Sequence, residues 1–147
     1  MTREDVTQAI LAAKKKKKLT WPRIAKAAGL SPAFVTAGCM GQMQLPEKSA
    51  KAVARLLGLG APVAEALAEI PYRGSLPTAV PTDPLIYRFY ELVQVYGTTW
   101  KELIQEEFGD GIMSAIDFDM TLERLPDPKG DRVKIVMAGK FLSYKKY

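Results

Sequence analysis

Two apolar patterns and the segment between them predict an α+β fold in two parts. Over the first seventy residues, apolar side chains recur at helical spacing inside short segments bounded by caps and glycines. From Ile112 onward they alternate, with Ile116, Phe118, Met120 and Leu122 set against Asp117, Asp119, Thr121 and Glu123. That is the period of a strand with one wet face. Between the two patterns lies PYRGSLPTAVPTDP, residues 71–84, whose four prolines and single glycine favour an extended connection. A helical domain over residues 1–75 and a small α+β domain over 76–147 are expected.

Each element has a local cause. Thr2 and Asp5 make a capping pair for a first helix with Val6, Ile10 and Leu11 as its apolar stripe. Thr20 caps a second, which carries Ile24, Ala25 and Ala28 and ends at Gly29. Ser31 caps a third, with Pro32 in its first turn, running through Phe34, Val35 and Met40. The fourth starts near Pro46, carries Ala50, Val53, Leu56 and Leu57, and stops in Leu-Gly-Leu-Gly; a short fifth begins at Pro62 and ends before Pro71. Beyond the linker, Asp83 and Pro84 lead a helix with Leu85, Phe89, Leu92, Val93 and Tyr96 on one face, expected to stop at Gly97. Arg88, Glu91 and Val95 line the edge of that stripe. Thr99 with Glu102 reads as a capping box for a further helix ending before Gly109. Residues 127–131 read as a turn, and Val133, Ile135 and Met137 supply a second alternating strand. Two strands do not make a stable sheet in water alone, so the C-terminal part is expected to pair between subunits.

Composition removes whole classes of chemistry. The 147 residues contain no histidine, the usual general base and commonest metal ligand near neutral pH, so a Ser-His-Asp triad is impossible. One cysteine, Cys39, allows neither an intrachain disulfide nor a Cys/His zinc site. Its small, apolar neighbours make it a core thiol. Asp117, Asp119 and Glu123 fall on the wet face of a strand, which favours solvent or subunit contact over an oxygen-ligand metal site. Catalysis is left to carboxylates, hydroxyls, Arg, Lys, Tyr and backbone amides, with neither metal nor cofactor expected. No apolar run approaches the roughly 20 residues that span a bilayer, and the start MTREDVTQ is not signal-like. A cytoplasmic protein without membrane contact is expected.

The net charge of +5 is concentrated before the linker, in the five lysines at 14–18 and in Arg23, Lys26, Lys48, Lys51 and Arg55. The lysine run ends a predicted helix, where cations face the carbonyl end of the dipole. Residues 19–42 also have the spacing of a repressor-type helix-turn-helix. A dimeric DNA-binding regulator is therefore the rival reading. Base readout needs polar side chains at the start of the second helix, and that start is Pro32, Ala33, Phe34, Val35, Thr36 and Ala37. Only Thr36 offers a base-edge hydrogen bond, which favours a packing unit. No nucleic acid partner is expected.

The run TDPLIYRFYELVQVYGTTWKELIQEEFGDGIMSAIDF, residues 82–118, resembles the core of the cyanate hydratases (cyanases), and the match continues through DPKGDRV and GKFL. Ser143 stands where that family often has proline, a departure that touches only the last five residues. The resemblance implies that Arg88 and Glu91 of YRFYE and Ser114 of GDGIMSAI are catalytic. It further implies cyanate as substrate with bicarbonate as co-substrate, and a homo-oligomer, a decamer built from intertwined dimers, with sites between subunits.

The implied residues suit the implied chemistry. Cyanate and bicarbonate are both anions, and at about 4 Å they repel by roughly 1 kcal/mol in water and several-fold more at lower effective dielectric. Arg88 supplies a fixed positive charge in a planar fork. Ser114 is suited to donating a hydrogen bond, since no histidine is present to activate it as a nucleophile. The Gly109-Asp110-Gly111 turn is a further candidate source of backbone donors. Glu91 has two roles open to it, orienting Arg88 or carrying a proton. Tyr87, Tyr90 and Tyr96 are expected to pack at interfaces. Without the resemblance, Arg88 and Glu91 read as a surface ion pair and Ser114 as a local hydrogen-bonding residue.

Overall fold

Thr2 closes a full capping box in the computed structural model, which describes residues 1–74 and 78–146. Its hydroxyl accepts from the Asp5 amide at 3.1 Å, and its own amide donates to the Asp5 carboxylate at 2.8 Å. That box starts α1 (Arg3–Lys16); α2 (Trp21–Ala28), α3 (Pro32–Cys39), α4 (Glu47–Leu57) and α5 (Ala61–Ala68) follow. Gly29 and Gly58 end α2 and α4 in the left-handed region, at φ 69° and 71°, where a side chain would be strained. Ser31 caps α3 by accepting from the Phe34 amide. Thr20 stands at the N-cap of α2 but its side chain accepts no capping bond. Pro22, lacking an N–H, already removes one of the orphan donors there.

These helices enclose one core. Val6 and Ile10 of α1, Ile24 of α2, Val35 and Cys39 of α3, Val53 and Leu57 of α4, and Leu67 of α5 form one buried cluster together with Leu45. Each large side chain so buried is worth about 1.5–3 kcal/mol. Leu11, expected in the stripe of α1, is exposed instead, because Val6 and Ile10 already fill the buried face. Polar ties close the ends. The Arg3 guanidinium donates to the carbonyls of Ala66, Gly38 and Met43, and the buried Ser49 hydroxyl donates to the Ala28 carbonyl at 2.8 Å. Within the lysine run, Lys17 donates to the Leu56 carbonyl at 2.8 Å and Lys14 lies 5.0 Å from the Trp21 ring centre. The run thus serves helix ends.

Contacts divide the chain into units Met1–Ser75 and Leu76–Tyr147. The expected boundary at 75/76 itself lies outside the described residues. The second unit begins with α6 (Pro84–Phe108), capped by Asp83, whose carboxylate accepts from the Leu85 and Ile86 amides at 2.9 and 3.0 Å. Here the expectation of two helices is corrected. Gly97 lies inside one continuous 25-residue helix, and the Thr99–Glu102 box does not form. A single interior glycine costs only about 1 kcal/mol relative to alanine, too little by itself to break a 25-residue helix.

Strands β1 (Gly111–Leu125) and β2 (Arg132–Ser143) form an antiparallel hairpin. Its turn is fastened by Asp127, which accepts from the Lys129 amide at 2.8 Å and from Arg132 Nε at 2.9 Å. These bonds hold the Asp127 carboxyl below its ordinary pKa. Pairing runs from Leu125↔Arg132 to Phe118↔Gly139, then resumes at Met113↔Phe141. Residues 114–117 of β1 therefore face a single residue, Lys140, and the strand bulges outward. Phe108 and Phe141, 5.1 Å apart, link the end of α6 to β2.

No residue of α6 is buried, and Leu85 and Val93 of its apolar stripe are 71% and 54% exposed. Both faces of the hairpin are similarly open apart from the buried Ser114 and a few half-buried positions.

Candidate active site

Arg88 and Glu91 lie one turn apart on α6, and Arg88 Nη1 donates to Glu91 Oε2. The spacing i, i+3 brings side chains to one helix face, so the pair follows from the helix itself. Both side chains are open, at 65% and 42% exposure, so the arginine retains donors for an anion.

Ser114 has a different setting. It is the one buried residue of β1, at 6% exposure, and it opens the bulge. Its Oγ accepts from the amides of Ile116 and Asp117, each at 3.0 Å. A hydroxyl has two acceptor positions and one proton. With both lone pairs engaged, the Ser114 oxygen is unavailable for attack and its O–H is left to donate. Any acceptor, an anion among them, is a complementary partner.

In the turn before β1, one of the backbone donors is already engaged. The Gly109 amide donates to the Gln105 carbonyl at 2.9 Å and ends α6, and Asp110 accepts from the Tyr144 amide at 3.1 Å through its carbonyl and from Gln105 Nε2 at 3.3 Å through its carboxylate. The aromatic residues of α6 pair along the helix, Tyr87 with Tyr90 at 5.9 Å and Tyr96 with Trp100 at 6.5 Å.

Arg88 and Glu91 are thus brought together within one chain. Ser114, on a different element, hydrogen-bonds to neither. The sequence reading missed the bulge and its two amides, because it carried the alternation straight through Ile116, which is 97% exposed. The available signal was Gly139, a glycine interrupting an alternating strand, a usual mark of a bulge or a close backbone approach.

The helix-turn-helix order of elements is present, with α2 and α3 joined through residues 29–31. Its second helix opens on Pro32, Ala33 and Phe34, which carry no polar side-chain atom for reading a base edge. The DNA-binding alternative is not favoured.

Comparison with known proteins covers both units. Residues 3–71 match the family model "Cyanate hydratase, N-terminal" and residues 78–146 match "Cyanate lyase C-terminal domain". The cyanate hydratases of Polaromonas sp. (strain JS666) and Dechloromonas aromatica (strain RCB) are each 61% identical to this chain over 147 residues, covering all of both chains. The crystal structure of cyanase from T. urticae superposes with a TM-score of 0.83 at 37% identity, covering 94% of this chain and 96% of that one. Full-length identity at this level, matches in both units and a shared fold agree, and the chain belongs to the cyanate hydratase family.

Proposed function

We propose that the protein decomposes cyanate with bicarbonate, in the cytoplasm and without metal or cofactor. A bicarbonate oxygen attacks the cyanate carbon, forming a mixed anhydride. Loss of carbon dioxide from that anhydride, with uptake of one proton, leaves carbamate, which takes up a second proton and breaks down to ammonia and a second carbon dioxide. Arg88 binds and offsets the paired negative charges, Glu91 orients Arg88, and Ser114 donates to the reacting anion. The effect is positioning and electrostatic stabilisation rather than covalent catalysis.

The observation that carries this reading is the Ser114 hydroxyl, buried and with both lone pairs engaged by amides. Such a group serves as a donor to an anion and not as a nucleophile. The names of the full-length relatives support cyanate as that anion.

The assembly belongs to the same proposal. A 25-residue helix without a buried residue and an uncovered two-stranded sheet are incomplete as a monomer. A second copy supplies the missing cover, and dimers assemble into a decamer whose sites combine Arg88 and Glu91 with Ser114 across subunits. Ammonia release from potassium cyanate, with bicarbonate present and then rigorously removed, tests the reading. Release that depends on bicarbonate is expected; no release in either condition refutes it.

A further inference from the structure

Beside the bulge that holds Ser114, residue 139 has no room for a side chain. A Cβ placed on Gly139 would lie 2.2 Å from the backbone oxygen of Ser114 and 2.6 Å from Met113 Cγ. The methionine side chain can swing away. The carbonyl cannot, since it belongs to the strand that carries the serine. Gly139 is not in the left-handed region, so the requirement is for space and not for a special dihedral. It pairs with Phe118 and so sits where regular pairing stops and the bulge begins.

We infer that Gly139 is a positioning residue for Ser114. Its bare backbone lets the Ser114 carbonyl press against β2, and this places the Ile116 and Asp117 amides on the serine oxygen and aims its proton outward. The inference rests on the proposed role of Ser114 as donor to the reacting anion. It gives the GKFL segment, which carries no catalytic group of that reading, a task in the reaction.

The test is a double-mutant cycle of Gly139→Ala, Ser114→Ala and the two combined, measured as ammonia release with kcat and KM for cyanate at saturating bicarbonate. A backbone shift of about 1 Å at a reacting group costs on the order of 100-fold, so Gly139→Ala is expected to lose about that much in kcat/KM. The combined variant should be no worse than Ser114→Ala alone, because the methyl acts through the hydroxyl. A purely structural glycine would instead give losses that multiply. Near-wild-type turnover by folded Gly139→Ala, or multiplicative losses, overturns the inference.

Hydrogen exchange over residues 114–118 keeps it testable if Gly139→Ala does not fold. Protection of the Ile116 and Asp117 amides in the wild type, lost in Ser114→Ala, supports the clamp; free exchange in the wild type refutes it. A wild-type protein that releases no ammonia from cyanate would sink the functional reading on which the inference rests, and exchange protection would still report separately on the bulge.

Discussion

Replacing Arg88 by lysine separates a surface ion pair from a catalytic one. The Arg88–Glu91 contact is an exposed i, i+3 pair, worth about 0.2–0.5 kcal/mol to the helix. Losing all of it lowers the melting temperature of a unit of this size by about 4 °C at most. Lysine keeps the positive charge but replaces a planar fork by a single ammonium, so a two-point grip on a carboxylate-like anion is lost. A hydrogen bond to a charged group is worth about 1.5–3 kcal/mol, which converts to a roughly 10- to 150-fold loss in kcat/KM. The assay is steady-state ammonia release over a cyanate series at saturating bicarbonate, run beside calorimetry and light scattering. A melting drop well beyond that limit, in step with the activity, would mean that Arg88 holds the fold. Unchanged kcat/KM would remove it from the site.

Ser114→Ala is expected to lower kcat by about 100- to 1000-fold, the usual cost of one donor to developing charge. Its melting point should fall only slightly, since exposure of the bulge lets water replace the lost acceptor; a large drop would mark the serine as structural. Cys39 is 1% exposed and its thiol is pushed up to about 11 by burial, so alkylation at pH 8 should fail in the native protein and proceed after unfolding. Because a raised pKa favours the neutral thiol in the fold, this stabilising effect is full below the ordinary thiol value and fades as pH climbs from there toward about 11. Rapid native alkylation at pH 8 would contradict the burial. The Asp127 carboxyl, held down by the Lys129 amide and Arg132, should titrate below an ordinary aspartate by NMR. Its support of the hairpin turn is full above the ordinary carboxylate pKa and disappears as pH falls through the depressed value. A midpoint at or above the ordinary value would refute those two bonds.

The helices of the first unit were legible because each end is written in one or two residues, such as the Thr2–Asp5 box and the αL positions of Gly29 and Gly58. Gly97 carries the same letter but does not end α6, since glycine stops a helix only where the following chain has somewhere else to go. Arg88 and Glu91 were legible as neighbours, helical periodicity being sufficient for that. The setting of Ser114 was not. It depends on a change of register that brings four residues opposite Lys140, and register belongs to two strands at once. The openness of the α6 stripe was equally invisible, although the inadequacy of two strands alone was readable.

Under the proposed assembly, the open stripe of α6 makes folding of the second unit a matter of concentration. The first unit encloses its own core and keeps its stability at any dilution. In the proposed oligomer the second draws its cover from other copies, so its folded population obeys mass action. A dimer contact loses about 1.4 kcal/mol of driving force for each tenfold dilution. A newly made chain in a cell with few others therefore carries a finished half and a waiting half, and the waiting half exposes the apolar surface that chaperones bind. Activity should then rise more steeply than in proportion to the amount of protein made, giving the cell a threshold of synthesis below which the chain is present and the reaction is not.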